Sequence, residues 1–400
     1  QRRGQKIKDL AQTVHDRLIA KIEAGGNIQK DRCFLHTEPH HDDVMLGYFA
    51  QVVRHFRRRT NQHHFMTLTG GFTAVTNEFM RAQMANLRHF LEAGTFAELI
   101  AQGYFEQNNM IDRNRDVWQY LDGVAGRDEH EKAEGNARRM LRNLIELFDG
   151  DFLNHIDRYT SEIEEYFATT YPGKKDPEPI QKLKGMCREW EAECLWGYYG
   201  WQCENVRHLR LSFYTGDIFT KEPTMDRDVP PIVAELERIN PDVITVAFDP
   251  EASGPDTHYK VMQALAEAIR IYLKKSQKPD LKIWGYRNVW FRFDPSEANV
   301  LVPISLAMFA ILDDAFMNAF ITQKDASFPS YEYDGPFSLL AQRVQVEQYR
   351  KIKTCLGREW FHNHPSAMIR AARGLVFLRE MSPDEFFQSC RELRQSVEAR

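Results

Sequence analysis

One stretch constrains the fold more than any other: Cys33-Phe34-Leu35-His36-Thr37-Glu38-Pro39-His40-His41-Asp42-Asp43-Val44. An apolar run stops in two histidines and two aspartates, and a helical apolar pattern starts at once with Met45, Leu46, Phe49, Val52, Val53 and Phe56. This spacing predicts strand, tight loop and helix, with four metal-competent side chains in the loop. In an open α/β sheet, ligands bind beyond the carboxyl ends of the strands, so the polar cluster stands where a site belongs. Imidazole and carboxylate together suit zinc or a similar divalent ion. The plainer alternative is an exposed turn in which Asp42 or Asp43 caps the next helix. Capping accounts for one aspartate and leaves His-His-Asp-Asp unexplained, so a metal site is expected.

The rest of the chain extends this α/β reading. Residues 6–23 form an amphipathic helix that should stop before Gly25-Gly26. His64 to Thr69 reads as a second strand entering the Gly70-Gly71 turn. Strand, helix, strand at this spacing is a βαβ unit and hence the start of a parallel sheet. From Asn77 to Glu204 the strand signals vanish and helical periods take over (Met80 to Leu99, Asp116 to Leu121, Ala137 to Phe148, Ile156 to Phe167, Ile180 to Trp201), with a loop at Tyr171 to Pro179. Residues 80–180 are therefore read as a helical insertion in a single domain spanning 1–400. The sheet pattern resumes at Leu209 to Tyr214, followed by a helix from Val229 to Asn240 with prolines in its first turn. Val243 to Phe248 is the most strand-like run of all. It leads into Asp249-Pro250-Glu251-Ala252-Ser253-Gly254-Pro255-Asp256-Thr257-His258 and a helix from about Tyr259 to Leu273. This repeats the first design: buried strand, polar loop with Asp and His, helix. Lys282 to Tyr286 is a further strand, and 300–400 is a mostly helical extension with a loop around Phe328 to Tyr331. The expected architecture is a Rossmann-like three-layer α/β sandwich with a mostly parallel sheet.

Composition removes several function classes. A net charge of −5 with no basic run offers no nucleic-acid track, and Arg57-Arg58-Arg59 reads as a solvated helix end. The longest apolar run, Val300 to Leu312, holds Pro303 and is too short to span a bilayer. The six cysteines lack CxxC pairs, which argues against a thiolate zinc site or a disulfide scaffold and suits a reducing, cytoplasmic setting. Cys187, Cys194 and Cys203 are expected as small buried hydrophobes. His36 is expected in or near the core, His63-His64 at a strand start, and His362 and His364 in structural roles. Asp313-Asp314 should mark a helix face turning to solvent, and Trp190, Trp196 and Trp201 should pack in the core.

A catalytic zinc takes three protein ligands and keeps a position for water. His40 and Asp43 from the first loop and His258 from the second supply a His₂–carboxylate set, delivered by strand ends that can be neighbours. Asp42, beside the ligands, is the candidate general base. Asp256 is the candidate to hold His258 or a catalytic partner from behind.

Pro39-His40-His41-Asp42-Asp43 resembles the (A/P)-H-P-D-D motif of the PIG-L/LmbE-like zinc-dependent N-deacetylases, which act on N-acetylglucosamine derivatives. Thr67-Leu68-Thr69-Gly70-Gly71 is similar to that family's T-x-G block. Arg188-Glu189-Trp190-Glu191 is similar to its sugar-contacting R-x-x-E helix, and Gly254-Pro255-Asp256-Thr257-His258 stands where it has H-P-D-H. The first block most resembles a subgroup fused behind a glucosamine-6-phosphate deaminase-like domain, and a chain starting at Gln1 would fit its C-terminal half. The resemblance covers roughly 30–260 outside the insertion. It implies Zn²⁺ on His40, Asp43 and His258, with Asp42 as base and Arg188 against the sugar. Alone, Arg188 and Glu191 would be read as a surface helix pair.

The sequence also departs from that pattern. His41 replaces a proline and Val44 a glutamate. Ser253 and Gly254 stand where the first histidine of H-P-D-H helps stabilise the oxyanion, and Thr257 is an extra residue before His258. Arg287, Tyr214 and His208 are candidate replacements for that donor, with Arg287 taken as a second substrate contact. The expectation is a zinc-dependent hydrolase that removes an acetyl group from an N-acetylated amino sugar or its phosphate. Its partners would be the small-molecule substrate, a fused or separate deaminase-like domain, and a second copy if the chain oligomerises. The competing expectation is a carbohydrate- and metal-binding module without turnover. A metal-dependent hydrolase of another amide or ester is a third.

Overall fold

The structure, a computed structural model, describes residues 6–107, 109–149, 151–171, 173–217, 220–276, 278–326 and 334–398. The loop expected around Phe328 to Tyr331 lies outside the described residues.

In chain order the elements are α1 (Ile7–Gly26), β1 (Cys33–Glu38), α2 (Asp43–Phe56), β2 (Gln62–Thr67), α3 (Asn77–Glu92), α4 (Ala97–Ala101), α5 (Met110–Gly126), α6 (Glu129–Leu147), α7 (Ile156–Thr169), α8 (Glu178–Tyr198), β3 (Val206–His208), α9 (Val229–Ile239), β4 (Val243–Ala247), α10 (Asp256–Lys275), β5 (Lys282–Tyr286), β6 (Val300–Ser305), α11 (Leu306–Ala319), α12 (Phe337–Leu356), α13 (Arg358–Asn363), α14 (Ala367–Arg370), β7 (Ala372–Met381) and α15 (Pro383–Glu398). The seven strands form a mostly parallel sheet in the order β3-β2-β1-β4-β5-β7-β6, flanked by helices. The expected Rossmann-like α/β class holds.

The chain divides into two compact units. The first comprises residues 1–64, 222–314 and 326–400. In it β1 pairs with β4 in parallel (Leu35 with Ile244), β4 pairs with β5 in parallel, and β7 runs antiparallel to both β5 and β6. β4 is buried throughout, as its unbroken Val-Ile-Thr-Val-Ala run predicts for a strand covered on both faces. Phe34, Val243 and Trp284 form a core cluster, and Phe34 stacks on His63 at 4.8 Å. His36 is a satisfied core histidine, 2.8 Å from Tyr48 Oη and 2.9 Å from His63 Nδ1.

Two boundaries in this unit differ from expectation. α1 does not stop before Gly25-Gly26, because the helix lies on β6 there. A Cβ on Gly25 would stand 2.0 Å from the Leu301 carbonyl oxygen, so Gly25 permits a contact and does not end a helix. The C-terminal region is mostly helical as expected, but it also supplies β6 and β7. The apolar run from Val300 divides at Ser305 into strand and helix, which period counting in a uniformly apolar run does not separate.

The second unit comprises 65–221 and 315–325. Its core is helical, built on Met84, Leu87, Phe90, Leu141, Leu144, Phe152 and Leu183, with Cys187 buried among them as a hydrophobe. Trp196 is fully buried and stacks on Phe65 at 3.7 Å, so it packs. Beneath this core lies a set of buried charges. Glu193, 3% exposed, accepts from Arg113 and Arg139, each at 2.6 Å, and lies 3.4 Å from His208 Nε2. Burial alone would raise its carboxyl, but the two guanidinium ions outweigh that and hold it well below the usual range.

The strand expected at Leu209 to Tyr214 is instead β3, three residues earlier, paired in parallel with β2 (Phe65 with Val206). It ends because Arg210 takes a left-handed φ of 49°, and its guanidinium forms a fork with Glu189 at 2.5 and 2.8 Å. None of the six cysteines forms a disulfide, and no described helix is long and apolar enough to cross a membrane.

Candidate metal centre

The sheet order creates the place for a site. From β1 the chain proceeds outward to β2 and β3, then returns to the other side of β1 as β4 and β5. Between β1 and β4 the connections therefore diverge, which is the topological switch point where open α/β sheets bind ligands beyond their carboxyl ends. The two Asp/His loops leave those two strands, both within the first unit.

His40, Asp43 and His258 meet there. His40 Nδ1 lies 3.2 Å from His258 Nε2, Asp43 Oδ2 lies 3.6 Å from His40 Nδ1, and it lies 3.4 Å from His258 Nε2. Ligands on a tetrahedral zinc with bonds of about 2.0–2.2 Å are about 3.3–3.6 Å apart, so the three donor atoms have close to the separations such an ion requires. The residues fit a divalent metal.

Local structure holds each donor. Asp43 opens α2, and its Oδ2 accepts the His40 backbone N–H at 2.8 Å, which ties the loop to the helix. The Val44 backbone N–H donates to Glu38 at the end of β1. His258 occupies the first turn of α10 and donates from Nδ1 to Asp249 Oδ2 at 2.8 Å, so Nε2 is the nitrogen that faces His40 and Asp43. Burial alone would lower the His258 pKa, but Asp43 and Asp249 overcome it and bring it up to about 9. Burial would raise Asp43, yet His258 and the bonds from His40 hold it below the ordinary carboxylate range.

The other site candidates take different places. Asp42 is half-buried beside Asp43 at the start of α2. Asp256, the expected support of His258, ion-pairs with Lys260 at 2.7 Å, and Asp249 takes the supporting position instead. Asp249 ends the β4 run, and an acidic residue at the carboxyl end of a buried strand was the signal that could have marked it. Asn288, which donates to Asp43 Oδ1, was missed altogether.

Arg287 directs its guanidinium to Phe248 O, Arg292 O and Glu297 and lies between Phe291 and Phe293, so it is engaged in holding its own loop. Arg188 and Glu191 belong to the second unit and are not a surface pair. They are 2% and 0% exposed, bonded to each other at 2.5 Å and both to Thr322. Tyr214 bonds to Thr73 and His208 faces Glu193. Ser253 and Gly254 provide no substitute for a histidine. Ser253 Oγ donates to Pro250 O at 2.5 Å, and a Cβ on Gly254 would lie 2.5 Å from Trp290 Cβ.

Comparison with known proteins is narrow. Over 169 residues the chain is 29% identical to a glucosamine-6-phosphate deaminase-like protein of Bacteroides thetaiotaomicron; the match takes in 41% of the chain and 25% of that protein. The chain thus aligns with about a quarter of the relative's length. No protein-family model matches the chain, and no solved structure does.

Proposed function

We propose that this chain is a metal-dependent hydrolase, with Zn²⁺ the expected ion, that removes the acetyl group from an N-acetylated amino sugar or amino-sugar phosphate. The observation that carries the reading is the His40–Asp43–His258 triad at the switch point, with donor separations of 3.2 to 3.6 Å. The amino-sugar class is supported by the name of the partial relative and by the motif order in the sequence.

When bound, an ion of this class supplies Lewis acidity, polarising a carbonyl and making water nucleophilic near neutral pH. The chain's own groups do the remaining work. His40, His258 and Asp43 hold the charge in place, and Asp249 keeps the His258 proton on Nδ1. Asp42, next to Asp43, takes the proton of the attacking water and returns one to the departing amine. The sugar contact implied for Arg188 rests on motif order alone, since its guanidinium is buried against Glu191 and Thr322, and the bonds of Arg287 favour a loop-holding role.

The test is acetate release from N-acetylglucosamine and its 6-phosphate, with and without a chelator, in wild type and Asp42→Asn. Metal-dependent release lost in Asp42→Asn supports the reading; no release from any such sugar removes it. One observation favours a second reading, a metal-retaining carbohydrate-binding module. Gly254 is packed against Trp290 where an oxyanion-stabilising histidine would stand. Sugar binding without turnover would select it.

A further inference from the structure

Asn288 stands just beyond β5, 245 positions from Asp43 along the chain, and is 3% exposed. Its side-chain amide has one possible orientation. The Val289 backbone N–H can only donate, and it lies 2.5 Å from Asn288 Oδ1. The oxygen therefore faces Val289, and the NH₂ group faces Asp43 Oδ1 and donates to it. The Asp43 carboxylate is thereby divided. Oδ1 is taken by Asn288, while Oδ2 accepts from His40 N and faces both ring nitrogens.

Gly47 explains how so distant a residue reaches Asp43. It lies one turn further along α2, and a Cβ there would stand 2.6 Å from the Tyr286 ring and 3.5 Å from Arg287 O. Only glycine lets α2 and the end of β5 approach this closely, and the approach delivers Asn288 to the carboxylate.

We infer that Asn288 is a positioning residue that makes Asp43 a one-oxygen metal ligand. The inference rests on the metal reading of the triad. With Oδ1 occupied by the amide, the protein supplies three donor atoms and the remaining positions stay open to water and substrate, as a catalytic site requires. Without the amide the carboxylate is free to rotate or to bind through both oxygens. Partners behind a ligand typically alter metal affinity about 10- to 100-fold.

The test is zinc affinity by chelator competition on the full chain, with Co²⁺-loaded protein as a spectroscopic reporter of coordination number. Asn288→Asp keeps the shape but sets a like charge against Asp43, and Asn288→Ala removes the donor. Both are expected to lower affinity about 10- to 100-fold and to weaken the Co²⁺ visible bands as a second oxygen joins the ion. X-ray absorption of zinc-loaded wild type needs no substitution and is expected to show a one-oxygen carboxylate. Variants with affinity within twofold of wild type and an unchanged Co²⁺ spectrum, or a two-oxygen carboxylate in wild type, overturn the inference. If wild type takes up no divalent ion, the metal reading itself falls; if wild type binds and the variants are indifferent, only the role of Asn288 does.

Discussion

His258 donates its Nδ1 proton to Asp249 across 2.8 Å, and that bond decides which nitrogen it presents to His40 and Asp43. Asp249→Ala frees the ring to change tautomer and to turn. Divalent-ion affinity is expected to fall about 10- to 100-fold, read by isothermal titration. Affinity unchanged in this variant would show that the ring is oriented by something else.

Glu193 is the counter-ion for two buried guanidinium groups, so its loss leaves Arg113 and Arg139 uncompensated. Breaking a buried ion pair from one side costs about 3–5 kcal/mol. Glu193→Ala should lower the unfolding free energy by that order in urea titration. A loss under about 1 kcal/mol would mean that water enters and screens the charges.

Acid should destabilise the first unit through its buried histidines. His55 donates from Nδ1 to Gln51 O and accepts at Nε2 from the Gln29 N–H, so protonating Nε2 breaks a bond. Burial is the main cause that lowers His55 to about 4 and His63 to about 3, and it takes His36 well below the ordinary imidazole value. The unfolded chain then binds protons near pH 6.5 that the folded chain refuses until pH 3–4. The stabilisation is complete above 6.5 and is lost as pH falls toward those folded values. Each such histidine adds about 1.4 kcal/mol per pH unit to the slope. Urea midpoints measured from pH 6.5 to 5 check this, and His55→Gln should reduce the slope by one proton.

Gly25→Ala places a methyl group into the Leu301 backbone. Overpacking of this kind costs about 1–3 kcal/mol, more where backbone must move. The melting temperature should drop with the metal site's affinity preserved, since α1 contributes no ligand.

The strand-loop-helix units around His40 and His258 were legible because each is a local pattern: a buried run, polar side chains, then a 3.6-residue period. The same reasoning misassigned the strand at Leu209 to Tyr214, because one left-handed residue, Arg210, turned the chain toward Glu189. Helix spacing alone would also read Arg188 and Glu191 as a surface pair, and only the motif order made Arg188 a sugar contact. Spacing along a helix says which residues are neighbours but not whether another segment covers them, and here Thr322 bonds to both.

By itself the sequence determined the α/β class and the three residues whose donor atoms meet, since strand ends, helix starts and the types of side chain between them are properties of contiguous residues. The tertiary structure alone decided what stands behind those donors. Asp249 replaced Asp256 as the partner of His258 because α10 begins at Asp256 and turns that side chain to Lys260. Asn288 reached Asp43 only because α2 and the end of β5 close on each other at Gly47. Such contacts join residues far apart in the chain, and their partners are chosen by packing, which no local pattern records.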